Sequence, residues 1–208
     1  MRFGSWVFPI SQNSKNDGNV IDDTLTEIEK WESLGFEAIW LSEHHFDGAT
    51  AYADPVVFAA AIAQRTRKVT IGFAVVEMAL HHPVRLAAQV SLLDHLSKGR
   101  MMLGTGKGSA FNEYEYIGFG VPMSEAADSI SESEDIILKA WTGKPVAHKG
   151  KYWNVAFPEL RPLPFQKPHP PLLRACISRE STIEMGSEGR HVLIAAQENN
   201  SIKDRLEV

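Results

Sequence analysis

Six short apolar runs set the rhythm of this chain: Phe3 to Phe8, Glu37 to Leu41, Val69 to Met78, Arg100 to Leu103, Leu172 to Ile177 and His191 to Ala195. Such near-continuous runs are what parallel strands covered on both faces require. Between the first two, Ile21, Leu25, Ile28, Trp31 and Leu34 recur every three to four residues, the period of one helical face. Thr24 and Glu27 offer a capping box at its start, and Gly35 a stop. Asp54-Pro55 reads as a cap and first-turn proline for a helix over Val56 to Gln64, with Phe58 and Ile62 facing inward. His82-Pro83 opens a further helix that Gly99 closes, and Ser124 opens one that ends at Trp141-Thr142-Gly143.

The first four strands begin near residues 3, 37, 69 and 100, a repeat of about 33 residues, which is the length of one unit of a (β/α)₈ TIM barrel. The expectation is an α/β fold of that type in a single domain, 1–208, with six of the eight strands that closure needs. A closed barrel typically takes about 250 residues, so a fragment or a short relative is expected. From Gly143 to Pro171 the repeat is interrupted by Tyr152-Trp153 and by Pro158, Pro162, Pro164, Pro168, Pro170 and Pro171. This reads as an insertion, a hairpin and an extended crossing over the barrel mouth. Residues 197–208, with Ile202 and Leu206, read as the start of an unfinished helix.

Composition narrows the field. With 208 residues, 44% hydrophobic and 23% charged, the chain is an ordinary soluble domain able to bury a core. Its net charge of -5 and lack of a basic cluster argue against nucleic acid. Cys176, the sole cysteine, excludes an internal disulfide framework and a cysteine-rich zinc site. No long apolar segment follows Met1, so neither signal peptide nor membrane span is expected and a cytoplasmic location is.

In a (β/α)₈ barrel, chemistry sits on loops leaving the carboxyl ends of strands. Polar residues follow the strands at Glu43-His44-His45-Phe46, at Glu77 with His81 and His82, at Gly104-Thr105-Gly106-Lys107-Gly108, and at Ser178-Arg179-Glu180-Ser181-Thr182. His44 fits a general acid or base whose tautomer Glu43 fixes; the alternative is a hydrogen-bonded structural histidine, the reading given to His45. Glu43, His44, His81 and His82 are metal-ligand types, without a supporting spacing. The glycines read as a loop that lets main chain approach a ligand, with Lys107 suited to phosphate; the alternative is a tight turn. The loop lacks Gly-x-Gly-x-x-Gly spacing, and Lys107 is not followed by Ser or Thr. Together with the hydroxyls, Arg179 and helix start at Ser178 to Thr182, it makes a phosphate site. Asp94 and Arg100 read as a structural ion pair away from the mouth.

Taken in order, Glu43-His44-His45-Phe46, His82-Pro83-Val84-Arg85, Leu93-Asp94-His95-Leu96-Ser97-Lys98-Gly99-Arg100 and Gly104-x-Gly106-Lys107-Gly108 give the chain a resemblance to the bacterial luciferase-like flavin monooxygenases over about residues 1 to 196. The resemblance implies reduced FMN supplied by a separate flavin reductase, activation of dioxygen, a small and hydrophobic organic substrate, and a homodimer. It implies that His44 is the histidine required for turnover and that Lys107, Ser178, Arg179 and Ser181 hold the FMN phosphate. It also implies a non-prolyl cis peptide at Ala74-Val75 beside the flavin ring. Two other readings share the fold: a deazaflavin-dependent oxidoreductase, and a non-catalytic flavin-binding subunit or inactive fragment.

Overall fold

The computed structural model describes residues 3–108 and 113–194. All six apolar runs are strands of one parallel sheet, in the order β1 (Gly4–Val7), β2 (Ala38–Leu41), β3 (Thr70–Phe73), β5 (Met101–Gly106), β8 (Leu172–Cys176) and β9 (His191–Ile194). The register is in step across the first three, with Ile39 beside Ile71 and Trp40 beside Gly72. Consecutive order with every pair parallel is the open arc of a (β/α)₈ barrel. Ile39, Leu41, Ile71, Phe73, Met101 and Leu103 are fully buried against the helical layer. Truncating any one to alanine costs about 2 to 5 kcal/mol.

The Val69 to Met78 run is two strands. The Ala74-Val75 peptide is cis, and it separates β3 from a two-residue β4 (Val76–Glu77) that pairs with Thr105 and Gly106. Ala74 N–H donates to Leu41 O at 2.7 Å, and Glu43 N–H donates to Val75 O at 3.2 Å. The turn is thereby stitched to the end of β2.

Helices α1 (Asp17–Ser33), α2 (Pro55–Arg65) and α3 (Pro83–Ser97) follow β1, β2 and β4, and α4 (Glu113–Phe119) and α5 (Ala126–Ala140) follow β5. Asp54 Oδ1 accepts from the amides of Val56 and Val57, capping α2 as expected. Two expected starts are wrong. Helix α1 begins at Asp17, seven residues before Thr24, whose hydroxyl is spent on Val20 O inside the helix. Ser124 lies in a 3₁₀ turn over Met123–Glu125, so α5 starts without a side-chain cap.

The insertion contains the expected hairpin, β6 (Val146–Lys149) paired antiparallel with β7 (Asn154–Phe157). Glu132 on α5 gathers it by accepting the amides of Lys151, Tyr152 and Trp153. The extended crossing was expected over the mouth. It packs instead beneath the sheet, where His95 bonds Leu163 O, and Gln166 donates to Asp94 and to Met101 O. Those partners lie at the end of α3 and the start of β5, and only there can the chain re-enter the sheet in parallel as β8. The helix expected over 197–208 falls outside the described residues, as does Ala195.

Candidate functional site

Where the strands end, a cavity of about 610 Å³ opens. Trp6 from β1, His44 after β2, Ala74 and Val75 at the cis peptide, Glu77 on β4, Lys107 after β5, Arg174 on β8 and Ser178 and Ser181 at the start of α6 (Arg179–Ser187) all line it. Six of the seven residues expected at the site are thus brought together. Arg179 is not among the lining residues; its side chain is exposed on the first turn of α6.

The cationic and hydroxyl donors have structural duties as well. Ser178 Oγ caps α6 by accepting the Ser181 amide at 3.1 Å, and Ser181 Oγ donates to Ser178 O at 2.9 Å. Arg174 was not anticipated. Its guanidinium is held by Glu134, which also receives Thr105 Oγ1 at 2.5 Å and Arg190 Nη1 at 2.5 Å. Arg190 also pairs with Glu188 at 2.9 Å, and Arg174 is the arginine of this network that lines the cavity. An arginine inside the apolar run Leu172-Leu173-Arg174-Ala175-Cys176 was a visible signal; its partner Glu134, 40 residues back, was not.

The glycine run serves the cavity, which Gly106 and Gly108 line as expected, and packing as well. Gly104 and Gly106 belong to β5, and a Cβ on Gly104 would stand 2.0 Å from Phe73 O. One on Gly106 would stand 2.7 Å from Val75 Cγ2. The bare backbone lets the cis turn lie against the strand. Only Gly108 has the positive φ, +72°, of a loop residue.

The imidazoles divide into two sets. Glu43 was expected to fix His44; it binds His45 Nε2 at 2.7 Å and His81 Nε2 at 2.8 Å, and accepts the Glu77 amide at 2.7 Å. Burial alone would raise its pKa, but hydrogen bonds from His45 and His81, the charge of His81 and the Glu77 amide hold it at about 2. His45 is buried, which opposes its cation, yet the bond to Glu43 raises its pKa. The short bond between them is buried, and His45 has the structural part expected of it. His44 stands apart. It is half-buried, its ring edge meets Phe8 at 4.9 Å between centroids, and its Nδ1 lies 3.8 Å from the buried Glu115 carboxylate. It is the histidine of this cluster that lines the cavity. His82 precedes α3 and packs on Trp153. Among the described residues no three carboxylate, imidazole or thiol groups are arranged to hold a metal ion.

Asp94 and Arg100 do not pair with each other. Asp94 accepts Gln166 N at 2.8 Å and Gln166 Nε2 at 2.7 Å; Arg100 donates to the carbonyls of Ala63, Thr66, Val69 and Ser97. Each ties chain segments together beneath the sheet.

Against the family model described as luciferase-like monooxygenase, residues 1–207 match. The chain belongs to that family. Its relatives include limonene 1,2-monooxygenase of Rhodococcus erythropolis, 33% identical over 73% of this chain and 39% of that protein. The oxygenase component of the flavin-dependent trigonelline monooxygenase of Acinetobacter baylyi is 31% identical over 83% of this chain and 48% of its own length. The chain spans about half the length of the curated relatives it matches. Among solved structures, monooxygenase RslO1 of Streptomyces bottropensis superposes with a TM-score of 0.85 at 29% identity, covering 92% of this chain and 59% of that one. Two more distant luciferase-like folds superpose with a TM-score of 0.80. One is the FMN complex of the oxygenating constituent of 3,6-diketocamphane monooxygenase from Pseudomonas putida, at 20% identity over 93% of this chain and 57% of that one. The other is an F420-dependent secondary alcohol dehydrogenase, at 22% identity over 99% of this chain and 63% of that one. The family is one of flavin-dependent, oxygen-using oxidoreductases, and the open six-stranded arc is part of its barrel. No described helix is long and apolar enough to cross a membrane.

Proposed function

We propose that the mouth cavity holds reduced FMN, and that with dioxygen this oxygenates a small hydrophobic organic substrate. One observation carries the reading: a single, largely apolar cavity joins cationic and hydroxyl donors to a half-buried imidazole. The donor set fits the cofactor. Lys107, Arg174 and the first turn of α6 with Ser178 and Ser181 suit a phosphate, while Ala74, Val75, Ile130 and Met185 suit the flat edges of a ring system. Arg174 takes the place in this set that the sequence suggested for Arg179.

When bound, the reduced flavin supplies the electrons for dioxygen activation. The chain supplies the rest. Val75, Ile130, Ile177 and Met185 keep water from the reacting face. His44 gives or takes a proton at the substrate side through one ring nitrogen, while the other faces Glu115. A separate reductase is the source of reduced flavin in this reading, consistent with a relative named as an oxygenase component.

The F420-dependent neighbour, matched over 99% of the chain, favours a second reading in which a deazaflavin carries hydride without dioxygen. Mixing the protein with reduced FMN or reduced deazaflavin and following dioxygen uptake separates them. The oxygenase reading expects saturable uptake with FMN alone. Binding of deazaflavin without oxygen uptake, and none of FMN, overturns it.

A further inference from the structure

The mouth cavity has two unlike ends. Lys107, Arg174, Ser178 and Ser181, the donors suited to a phosphate, come from the ends of β5 and β8 and the start of α6, whereas Trp6 comes from β1, four strands from β8 in the sheet order. At about 4.8 Å per strand, that is about 19 Å along the sheet. With the flavin phosphate at one end and its ring on the cis turn, the β1 end is where a second molecule has room.

That end is built around an indole. Trp6 is the one tryptophan, tyrosine or phenylalanine among the described residues that lines the cavity. Phe8 backs it, with ring centroids 5.5 Å apart and planes 15° from parallel, and the same Phe8 ring stands edge-on to His44 at 4.9 Å. One aromatic ring thus steadies both the indole and the imidazole. Trp40, the register partner of Trp6 on β2, commits its own ring elsewhere. It lies across the neighbouring strand, where a Cβ on Gly72 would stand 2.4 Å from Trp40 Cζ3, and its Nε1 would be 3.1 Å from a Cβ on Gly4. Two glycines therefore bed Trp40 flat against the sheet. Trp6, by contrast, is 59% exposed, and among the described residues it is stacked by Phe8 alone. A large apolar ring left open inside a binding cavity is stabilised by a ligand that covers it.

We propose that Trp6 is a substrate-binding residue that selects a planar, unsaturated ring and lays it beside His44. A flat ring in offset stack on the indole uses its whole face for dispersion and quadrupole attraction, which a puckered saturated ring of equal size does not. Phe8 holds the indole and the imidazole at fixed spacing, so the stacked ring and the proton-transferring group share one end of the cavity. The proposal names the substrate class within the oxygenase reading and rests on that reading for its part in turnover; the stacking itself does not.

The test uses phenol and cyclohexanol, which share a carbon count and a hydroxyl and differ in the flat ring, and it involves no turnover. With the five tryptophans replaced by fluorotryptophan, fluorine resonance should show phenol moving upfield the one signal that is missing in Trp6→Leu, while cyclohexanol moves it far less. By calorimetry, Trp6→Leu should lower the preference for phenol over cyclohexanol about fivefold, the worth of one aromatic pair, and Trp6→Phe should keep most of it. The phenol shift should persist with FMN bound. No shift, an equal shift from both probes, or an unchanged preference in Trp6→Leu overturns the proposal, as does loss of the shift when FMN binds, which would place phenol in the flavin's position. Failure of FMN to bind at all would sink the oxygenase reading, with the phenol shift still deciding the stack. Should Trp6→Leu not fold, Trp6→Phe, which keeps the packing on Phe8, assigns the signal, and the wild-type shifts decide.

Discussion

The two ends of the sheet are both rich in buried polar groups, yet they are built on opposite terms. Beneath the sheet, Asp94, Arg100 and Glu32 each spend their charge on the backbone or on an amide. Glu32 accepts the amides of Arg67, Lys68 and Val69 at 2.9, 2.6 and 2.9 Å. At the mouth, carboxylates face carboxylates and imidazoles: Glu43 with His45 and His81, Glu77 with Glu115, Glu115 with His44. Charge spent on backbone dipoles is satisfied in one protonation state and stays there. Charge set against other titratable groups changes when a neighbour gains or loses a proton, which is the setting acid and base chemistry uses. The base holds the fold and the mouth is free to react.

That contrast is exposed most strongly at Asp94. Asp94→Ala strips two hydrogen bonds from a charged acceptor and should cost about 3 kcal/mol or more, since bonds to charged groups contribute about 1.5 to 3 kcal/mol each; urea unfolding measures it, and oxygen uptake per folded molecule should not change. His44→Ala reverses the pattern. Turnover should fall about a hundredfold or more, the usual loss of a general acid or base, with reduced FMN binding and unfolding midpoint nearly those of the wild type. A drop in midpoint like that of Asp94→Ala would erase the distinction.

Stability against pH gives a finer test. The Glu77 acid titrates at about 9 when folded against an ordinary 4.5, so its contribution is complete below pH 4.5 and fades as pH climbs to about 9. Glu43, held at about 2, contributes fully above 4.5 and loses its part as pH falls through about 2. Glu77→Gln should therefore flatten the alkaline decline of the melting temperature while leaving the acid limb in place. The smallest effect is expected at Ser178. Replacing it with alanine removes the α6 cap, costs about 1 kcal/mol, and weakens phosphate binding at the same site.

Much of the fold is legible in the sequence because strands buried on both faces have to be continuous apolar runs, and all six are. The break inside Val69 to Met78 is invisible in the apolar pattern, since a cis turn between β-branched and small residues leaves the run apolar; only the family resemblance implied the cis peptide that Ala74-Val75 has. In the Gly104 to Gly108 stretch the ligand-facing part, Gly106 and Gly108, is legible, but the crowding by Phe73 and Val75 that also requires glycine is invisible without neighbours. The extended crossing is misplaced for a similar cause: prolines announce an irregular path but not which end of the sheet it takes. At the mouth, His44, Lys107 and Ser178 stand right after strands and so can be read in order. Glu115 and Glu134 come from helices whose sequence distance from their partners, Glu77 and Arg174, is 38 and 40 residues, and no spacing rule links them.

The placement of the cofactor at the mouth is tested most directly by anaerobic titration of reduced FMN against the wild type, Lys107→Ala and Arg67→Ala, the last removing the same charge from beneath the sheet. Saturable binding at one flavin per chain, weakened about tenfold by Lys107→Ala, a loss of one charged hydrogen bond, and unchanged by Arg67→Ala, is the expected result. Equal weakening by both replacements, or none by Lys107→Ala, would contradict it.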